Sequence, residues 1–165
     1  MRAAFGSAAM TNSIAETPTS DVILVIGPNT TETHPVIGTM ILRAKMAGGK
    51  LIVAEPRRIA LAERADLFLP LKPGTNVALV NALCRVIIEE GLQDAEFVRD
   101  RTENYEAFRD AAMALSVEEA AAVCGVDAET IRKAARAYAG GKRAAIYYAM
   151  GVTQHVTGSD GVRAL

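Results

Sequence analysis

Three short polar segments carry residue types that suit the binding of a phosphate or a sugar. The first, residues 27–34, reads Gly-Pro-Asn-Thr-Thr-Glu-Thr-His and places hydroxyl and amide groups directly after a glycine. Where a helix follows such a segment, its unpaired N–H groups and partial positive charge attract phosphate. The segment is not a G-x-G-x-x-G loop, so the common nicotinamide fingerprint is absent. Taken alone, it is interpreted equally well as an ordinary polar cap before a helix.

The second segment begins with Glu55 and continues through Pro56 and Arg57. In dinucleotide-binding folds, an acidic residue after the second strand accepts hydrogen bonds from ribose hydroxyls. Arg57 is suited to contact a phosphate or to stack on a base. The alternative interpretation is a solvated Glu–Arg pair on a surface turn.

The third segment, residues 149–155, reads Ala-Met-Gly-Val-Thr-Gln-His. Gly151 permits close approach of the backbone, and Gln154 both donates and accepts hydrogen bonds. His155 is a candidate ligand or proton carrier, although a lone histidine is more often a structural residue. His34, in the first segment, is expected to cap a helix that begins at Pro35.

The sequence shows no nucleophile–base pair, metal cluster or pair of carboxylates that would build a catalytic centre. Cys84 and Cys124 lie far apart, and neither has a cysteine or histidine at metal-ligand spacing. We expect both to be small buried apolar residues, which is consistent with a reducing compartment.

The composition fits one domain, because the chain has 165 residues and half of them are apolar. Its 18 basic and 19 acidic residues leave a net charge of −1, which gives no electrostatic case for nucleic acid or an anionic membrane surface. No apolar run approaches the roughly 20 residues needed to span a bilayer. The first residues lack the apolar stretch of a signal peptide, so we expect a cytoplasmic location.

Alternating strands and helices position the polar segments. Four apolar runs predict strands at residues 21–27, 50–54, 66–71 and 143–148. Beyond their first residues, Asp21 and Lys50, the first two are apolar at both alternating positions, which is typical of parallel strands buried on both faces. Pro70 within the third indicates an edge position or a bulge. These strands, with the helices between them, predict a right-handed βαβ pattern, an α/β fold with a mostly parallel sheet.

Helical spacing of apolar residues predicts the connecting helices. Residues 36–44 form one helix, stopped by two glycines, after a polar loop at 28–35. A short helix is expected at 59–64, and a strong one follows Thr75 or Asn76 as N-cap and ends before Gly91. Further helices are expected at 94–115, 116–124 and 127–139, forming a helical insertion. All three polar segments then follow strands, at the carboxyl edge where open α/β sheets bind ligands.

Five stretches, in this order, resemble the large subunit of formate dehydrogenase in the molybdopterin oxidoreductase superfamily. They are Met-Thr-Asn-Ser-Ile at 10–14, Val-Ile-Gly-Pro-Asn-Thr-Thr-Glu-Thr-His-Pro at 25–35, Glu-Pro-Arg-Arg-Ile at 55–59, Pro-Gly-Thr-Asn-Val-Ala-Leu at 73–79 and Gly-Val-Thr-Gln-His at 151–155. The resemblance extends from about Ala3 to Leu165.

The resemblance implies a Rossmann-like three-layer domain, with residues 1–20 as a lead-in and residues 21–165 as the domain. In that family, formate is oxidised to carbon dioxide at molybdenum or tungsten held by two pterin guanine dinucleotides. Electrons leave through iron–sulfur clusters. The matching domain binds the nucleotide part of one molybdopterin guanine dinucleotide.

The resemblance also implies the residues of a cofactor site and no catalytic or metal-ligating residue in this chain. Position by position, Gly27, Asn29, Glu32 and Thr33 line the phosphate and pterin side. Glu55, Pro56 and Arg57 hold the guanosine, and Leu71, Gly74 and Asn76 close over it. Met150, Gly151 and Gln154 approach the pterin.

The chain departs from the family pattern in several places. Glu55 stands where aspartate is common, and Ala9 and Ala149 stand where glycine is usual. The iron–sulfur segment and the metal-ligating cysteine or selenocysteine would precede Met1, and the substrate-binding arginine would follow Leu165. We therefore expect a domain truncated at both ends and inactive alone. Its partners would be the other domains of the large subunit and electron-transfer subunits, with neither nucleic acid nor membrane in contact.

Two other interpretations remain open. The same polar segments fit a stand-alone nucleotide-binding module without enzyme ancestry. Residues 118–132 resemble a helix-turn-helix, which is typical of DNA-binding proteins, and its second helix carries Arg132, Lys133 and Arg136. The acidic residues around it oppose binding to phosphates: Glu118, Glu119, Asp127 and Glu129.

Overall fold

The computed structural model describes residue 10 and residues 12–165. Ala9 and part of the stretch at 10–14 lie outside the described residues. One sheet contains β1 (Val22–Ile26), β2 (Lys50–Ala54), β3 (Leu67–Leu69) and β4 (Ala144–Tyr148). Its order is β3-β2-β1-β4, and every pair of neighbouring strands is parallel. The α/β fold predicted from the sequence is therefore confirmed.

The central strands are buried because both of their faces are apolar. All of β1 and all of β2 except Lys50 are buried. Alternate residues face opposite sides of the sheet, so Ile23 and Val25 join one core while Leu24 and Ile26 join the other. Helices cover both sides and complete the three layers.

The helices on the Ile23 side come early in the chain. They are a 3-10 helix (Ile14–Thr19), α1 (Thr30–Thr33), α2 (Pro35–Met46) and α3 (Ala60–Glu63). The 3-10 helix belongs to the predicted lead-in, and it is tied to the sheet because the hydroxyl oxygens of Thr17 and Tyr147 lie 2.6 Å apart.

Two expectations for this side were wrong. The predicted loop at 28–35 contains α1, a single turn whose N–H groups at Glu32 and Thr33 donate to the Asn29 carbonyl. All four residues of α1 are polar, so no apolar periodicity predicted that turn. His34 precedes α2, but its side chain caps no helix N–H. Its Nδ1 lies 2.9 Å from Thr33 Oγ1 instead.

The helices on the Leu24 side form the predicted insertion between β3 and β4. They are α4 (Asn76–Glu89), α5 (Ala95–Arg101), α6 (Tyr105–Ala112), α7 (Val117–Cys124) and α8 (Ala128–Ala139). After β4 come α9 (Met150–Thr153) and α10 (Gly158–Ala164). The single helix expected at 94–115 is two helices, because Thr102 is extended and Asn104 lies in the left-handed region, with a φ of +59°.

The end of α4 is capped as the sequence predicts, but its beginning is not. Gly91 has a φ of +65° and donates its N–H to the Ile88 carbonyl at 3.1 Å, which is the glycine ending that was predicted. Thr75 precedes the helix, but its hydroxyl donates to the Lys72 carbonyl rather than capping. Pro70 follows β3, the outermost strand, so its predicted edge position is confirmed.

Two arginines of the helix pair α7 and α8 form ion pairs within the protein. Arg132 pairs with Glu118, and Arg136 lies 2.8 Å from Glu90. Hydrogen bonding by Arg136 lowers the pKa of the Glu90 carboxyl below its usual range. The arginines that suggested a DNA-reading helix are thus partnered by carboxylates.

The two cysteines differ in burial. Cys124 is buried, whereas Cys84 is only half-buried, so the expectation of two buried cysteines was wrong for Cys84. Among the described helices, none has the length and apolar content required to cross a membrane.

Asp66 ties the start of β2 to α2. Its Oδ2 accepts the Leu51 N–H at 2.8 Å, and its Oδ1 lies 2.6 Å from Lys45 Nζ. Partial burial raises the pKa of this carboxyl, but the hydrogen bonds from Lys45 and Leu51 outweigh burial and leave the pKa below its ordinary value. The stabilisation is therefore present above roughly pH 4 and is lost as the pH falls through the folded-state pKa.

Replacing Asp66 with asparagine should lower the free energy of unfolding at pH 7 and flatten its decline between about pH 5 and pH 2. Urea denaturation at several pH values measures both. Asp160→Asn is the control, because Asp160 lies at the surface and its ion pair with Arg163 is long, at 3.5 Å. Parallel pH slopes for Asp66→Asn and the wild type would contradict the prediction.

Candidate functional site

The carboxyl edge of the sheet contains a switch in strand order. The chain moves outward from β1 to β2 and β3, and then the helical insertion returns it to place β4 on the other side of β1. The loops after β1 and β4 therefore begin side by side and lead away in different directions. Open α/β sheets bind ligands at such a point.

Gly27 and Gly151 bring these two loops into backbone contact. The Gly151 N–H donates to the Gly27 carbonyl at 3.2 Å. A Cβ at Gly27 would lie 2.8 Å from the Gly151 carbonyl carbon, and one at Gly151 would lie 2.7 Å from Gly27 Cα. The sequence suggested that these glycines make room for a ligand. The structure shows that each makes room for the other.

A cavity of about 240 Å³ opens at the same edge. Its walls come from the loops after β2, β3, β1 and β4. Eight of the residues implied by the family resemblance line it: Gly27, Glu55, Pro56, Arg57, Leu71, Gly74, Asn76 and Gly151. Ala54, Lys72, Pro73 and His155 complete the lining.

A carboxylate with little exposure to water forms one side of the cavity. Glu55 is 8% exposed, and its Oε1 lies 3.5 Å from Arg57 Nε and accepts the Arg57 backbone N–H at 3.4 Å. The Arg57 side chain is 73% exposed. A nearly desolvated acceptor beside an exposed guanidinium can bind hydroxyl groups and an anionic or aromatic group at once.

Asn76 has a structural partner. It is 8% exposed, and its Nδ2 donates to the Gly151 carbonyl at 3.3 Å. The first residue of α4 thus supports the contact between the two glycines. Leu71 is buried nearby, and Gly74, with a φ of +83°, has no atom within 4 Å of the position a Cβ would take. The cavity is therefore not enclosed by other residues on the side of the Gly74 turn.

Five of the predicted site residues lie outside the cavity lining: Asn29, Glu32, Thr33, Met150 and Gln154. Asn29 is engaged in α1, where its carbonyl accepts the Thr33 hydroxyl at 2.9 Å and its Oδ1 accepts the Thr31 hydroxyl at 3.1 Å. Glu32, Thr33, Met150 and Gln154 are exposed. Glu32 and Thr33 lie on α1, Met150 begins α9, and Gln154 directly follows α9.

Lys72 and His155 join the site although sequence reasoning did not assign them to it. Lys72 directly precedes the Pro73–Gly74 turn after β3, so a cation beside a glycine turn at a strand end was an available signal. His155 had been weighed as a ligand and as a structural residue. It is exposed at the cavity, which favours neither role.

The lining contains the types of chemical group that a nucleoside diphosphate would require. A diphosphate requires cations and small residues at its wall, which Lys72, Arg57 and Gly74 provide, while a ribose requires acceptors such as Glu55. Within the part of the chain that the structure describes, no group of three or more His, Cys, Asp or Glu side chains could hold a metal ion.

Comparison with known proteins identifies relatives along the entire chain. An F420-dependent formate dehydrogenase subunit alpha from Methanocaldococcus jannaschii is 49% identical over 165 residues, which are 100% of this chain and 24% of that protein. Formate dehydrogenase H from Escherichia coli is 44% identical over 160 residues, covering 97% of this chain and 22% of that protein. The chain thus spans about a quarter of the length of these relatives.

A solved structure gives the same fold. Acetylene hydratase from Pelobacter acetylenicus superposes with a TM-score of 0.90 at 34% sequence identity, covering 99% of this chain and 22% of that one. The family model described as molybdopterin oxidoreductase matches residues 3–165, which is the extent of the resemblance found in the sequence. The chain belongs to the molybdopterin oxidoreductase family.

Proposed function

We propose that this chain is part of the large subunit of a molybdenum- or tungsten-dependent formate dehydrogenase, which oxidises formate to carbon dioxide. Within it, the chain binds the nucleotide part of one molybdopterin guanine dinucleotide. Formate is proposed as the substrate because two relatives named formate dehydrogenases are 44% and 49% identical over nearly the whole chain. The observation that carries the binding role is the cavity in which nearly buried Glu55 lies beside Arg57 and Lys72.

The variety of relatives supports a role in holding a shared group. The names formate dehydrogenase and acetylene hydratase describe different reactions, yet both proteins contain this segment. A segment common to different reactions is suited to a common cofactor rather than to one substrate. The cavity position at a strand-order switch supports the same assignment.

The proposed roles follow from the chemistry of each group. Glu55 accepts hydrogen bonds from the ribose hydroxyls, and Arg57 stacks on the base or contacts a phosphate. Pro56 and Leu71 provide apolar contact, and the Gly74 turn closes over the guanosine. The pterin side is assigned to the loops that meet at the glycine contact, with these members: Gly27, Asn29, Glu32, Thr33, Met150, Gly151 and Gln154.

The bound cofactor supplies the metal and the pterin dithiolate where formate reacts, and this chain supplies binding and orientation. The proposed partners are the other domains of the large subunit and electron-transfer subunits, and the iron–sulfur cluster belongs to those parts. A cytoplasmic location is supported by two free thiols. By itself, the 165-residue chain is not expected to oxidise formate.

Calorimetric titration with GDP and with 2′-deoxy-GDP tests the nucleotide role of Glu55. The wild type should bind GDP about 10-fold more tightly than 2′-deoxy-GDP, because a hydrogen bond to a charged acceptor contributes about 1.5–3 kcal/mol. In Glu55→Gln, the affinity for GDP should fall about 10-fold or more, and the preference for the 2′-hydroxyl should shrink.

The matched control is Glu63→Gln, because Glu63 is an exposed acid on α3 outside the cavity lining. It should bind both nucleotides as the wild type does. Unchanged GDP affinity in Glu55→Gln would contradict the proposed role. A wild type that binds GDP as tightly as the complete pterin dinucleotide would instead favour a stand-alone nucleotide-binding module.

A further inference from the structure

The loop after β3 is fastened to a distant turn of the helical insertion. The Lys72 backbone N–H donates to the Cys124 carbonyl at 2.8 Å, and Cys124 Sγ lies 3.6 Å from the Thr75 carbonyl oxygen. Within the loop, the Thr75 hydroxyl donates to the Lys72 carbonyl at 2.6 Å. The turn between α7 and α8 therefore holds the loop that forms one wall of the cavity.

Gly125, in that turn, lies against the Lys72 side chain. A Cβ at Gly125 would be 2.8 Å from Lys72 Cε and 3.4 Å from Lys72 Cγ. Gly125 has a φ of +73°, which alone favours glycine. Gly91 has a similar φ of +65° but no atom within 4 Å of a built Cβ. A methyl group at Gly125 would therefore displace the Lys72 side chain, whose methylene groups extend along this residue.

The charge of Lys72 is not neutralised within the described residues. No described carboxylate lies within ion-pair distance of its Nζ, whereas Arg57, the other cation of the cavity wall, pairs with Glu55. Lys72 nevertheless lines the cavity. A lysine that lines a cavity and has no carboxylate partner there is suited to bind an anionic group.

We infer that Lys72 binds the diphosphate of the nucleotide and that Gly125 is a positioning residue which directs the Lys72 side chain into the cavity. The inference rests on the proposed function, because it places the diphosphate beside a guanosine held at Glu55. It adds that the turn between α7 and α8 contributes to cofactor binding without a side chain of its own at the ligand.

The test is titration of the 165-residue chain with inorganic pyrophosphate and with GDP. Lys72→Met should lower the affinity for both ligands about 10-fold, because it removes a charge-assisted contact. Lys72→Arg should retain most of the wild-type affinity. The wild-type affinity should also fall more steeply with salt than that of Lys72→Met.

Gly125→Ala should lower the affinity for pyrophosphate severalfold. Gly91→Ala should leave that affinity unchanged, although both variants place alanine at a positive φ. The double variant Lys72→Met/Gly125→Ala should bind no more weakly than Lys72→Met, because Gly125 acts through Lys72. A general loss of structure would instead weaken the double variant further. Should Gly125→Ala fail to fold, Gly125→Asn replaces it, since asparagine tolerates this backbone region.

The outcomes separate this inference from the proposed function. Pyrophosphate binding that is unchanged in Lys72→Met, or absent in the wild type, overturns the role of Lys72. Equal affinities for Gly125→Ala and Gly91→Ala overturn the positioning role of Gly125. If GDP binds no more tightly than pyrophosphate while Lys72→Met weakens both, the nucleotide role fails and Lys72 remains an anion-binding residue.

Discussion

Replacing Gly27 with alanine is expected to lower the free energy of unfolding by about 2–5 kcal/mol, the combined effect of backbone strain and overpacking. Gly27 has a φ of +77°, and the new methyl group would lie 2.8 Å from the Gly151 carbonyl carbon. The loops after β1 and β4 would have to separate, so the cavity between them should widen and nucleotide affinity should fall as well. Urea denaturation at pH 7 measures the stability.

Gly48→Ala separates the two contributions to that loss. Gly48 has a φ of +100° and no atom within 4 Å of a built Cβ, so its replacement adds backbone strain alone. We expect a loss of about 1 kcal/mol and unchanged nucleotide binding. If Gly27→Ala were no more destabilising than Gly48→Ala, the close approach of the two loops would contribute nothing to stability.

Replacing Leu79 with alanine is expected to cost about 2–5 kcal/mol, the range for a buried leucine whose site cannot collapse. Leu79 lies on α4, has no exposed surface, and belongs to the core that includes Leu24 and Ile52. Removing its side chain leaves a void between the sheet and the helical insertion. Thermal or urea unfolding followed by circular dichroism measures the loss.

Val123→Ala provides the comparison for Leu79→Ala. Val123 lies on α7, in the same insertion, but is 47% exposed, so its replacement should change stability by no more than about 0.5 kcal/mol. A loss below about 1 kcal/mol for Leu79→Ala would show that the helical layer relaxes around the void.

The central strands were predicted well from the sequence because apolar residues on both of their faces indicate burial. β1 and β2 are apolar on both faces, and their observed ends fall within one residue of the predicted ones. The predicted strand at 66–71 is shorter, at Leu67–Leu69, because Pro70 has no N–H to donate to a neighbouring strand. The break at Asn104 was missed because a single residue in the left-handed region leaves no periodic pattern.

The candidate site was predictable where a residue type directly follows a strand. Glu55 was found in this way, whereas Gly74 was implied by the family resemblance; both line the cavity. The contacts of Gly27 with Gly151 and of Lys72 with Gly125 were not found, since each joins residues that are distant in the sequence. Such pairs depend on the crossover through the helical insertion, which local spacing does not reveal.

The two cores on opposite faces of the sheet differ in when synthesis can complete them. The buried members of the core containing Ile23 all lie between Ile23 and Ala62, so they are all synthesised before the helical insertion. The other core extends from Val22 to Val152 and must wait for β4. Because domains form as their residues emerge, the cavity at the carboxyl edge is among the last features of this sheet to form. A nascent chain that lacks β4 can complete only one of the two cores, and it lacks the loop after β4 against which Gly27 packs.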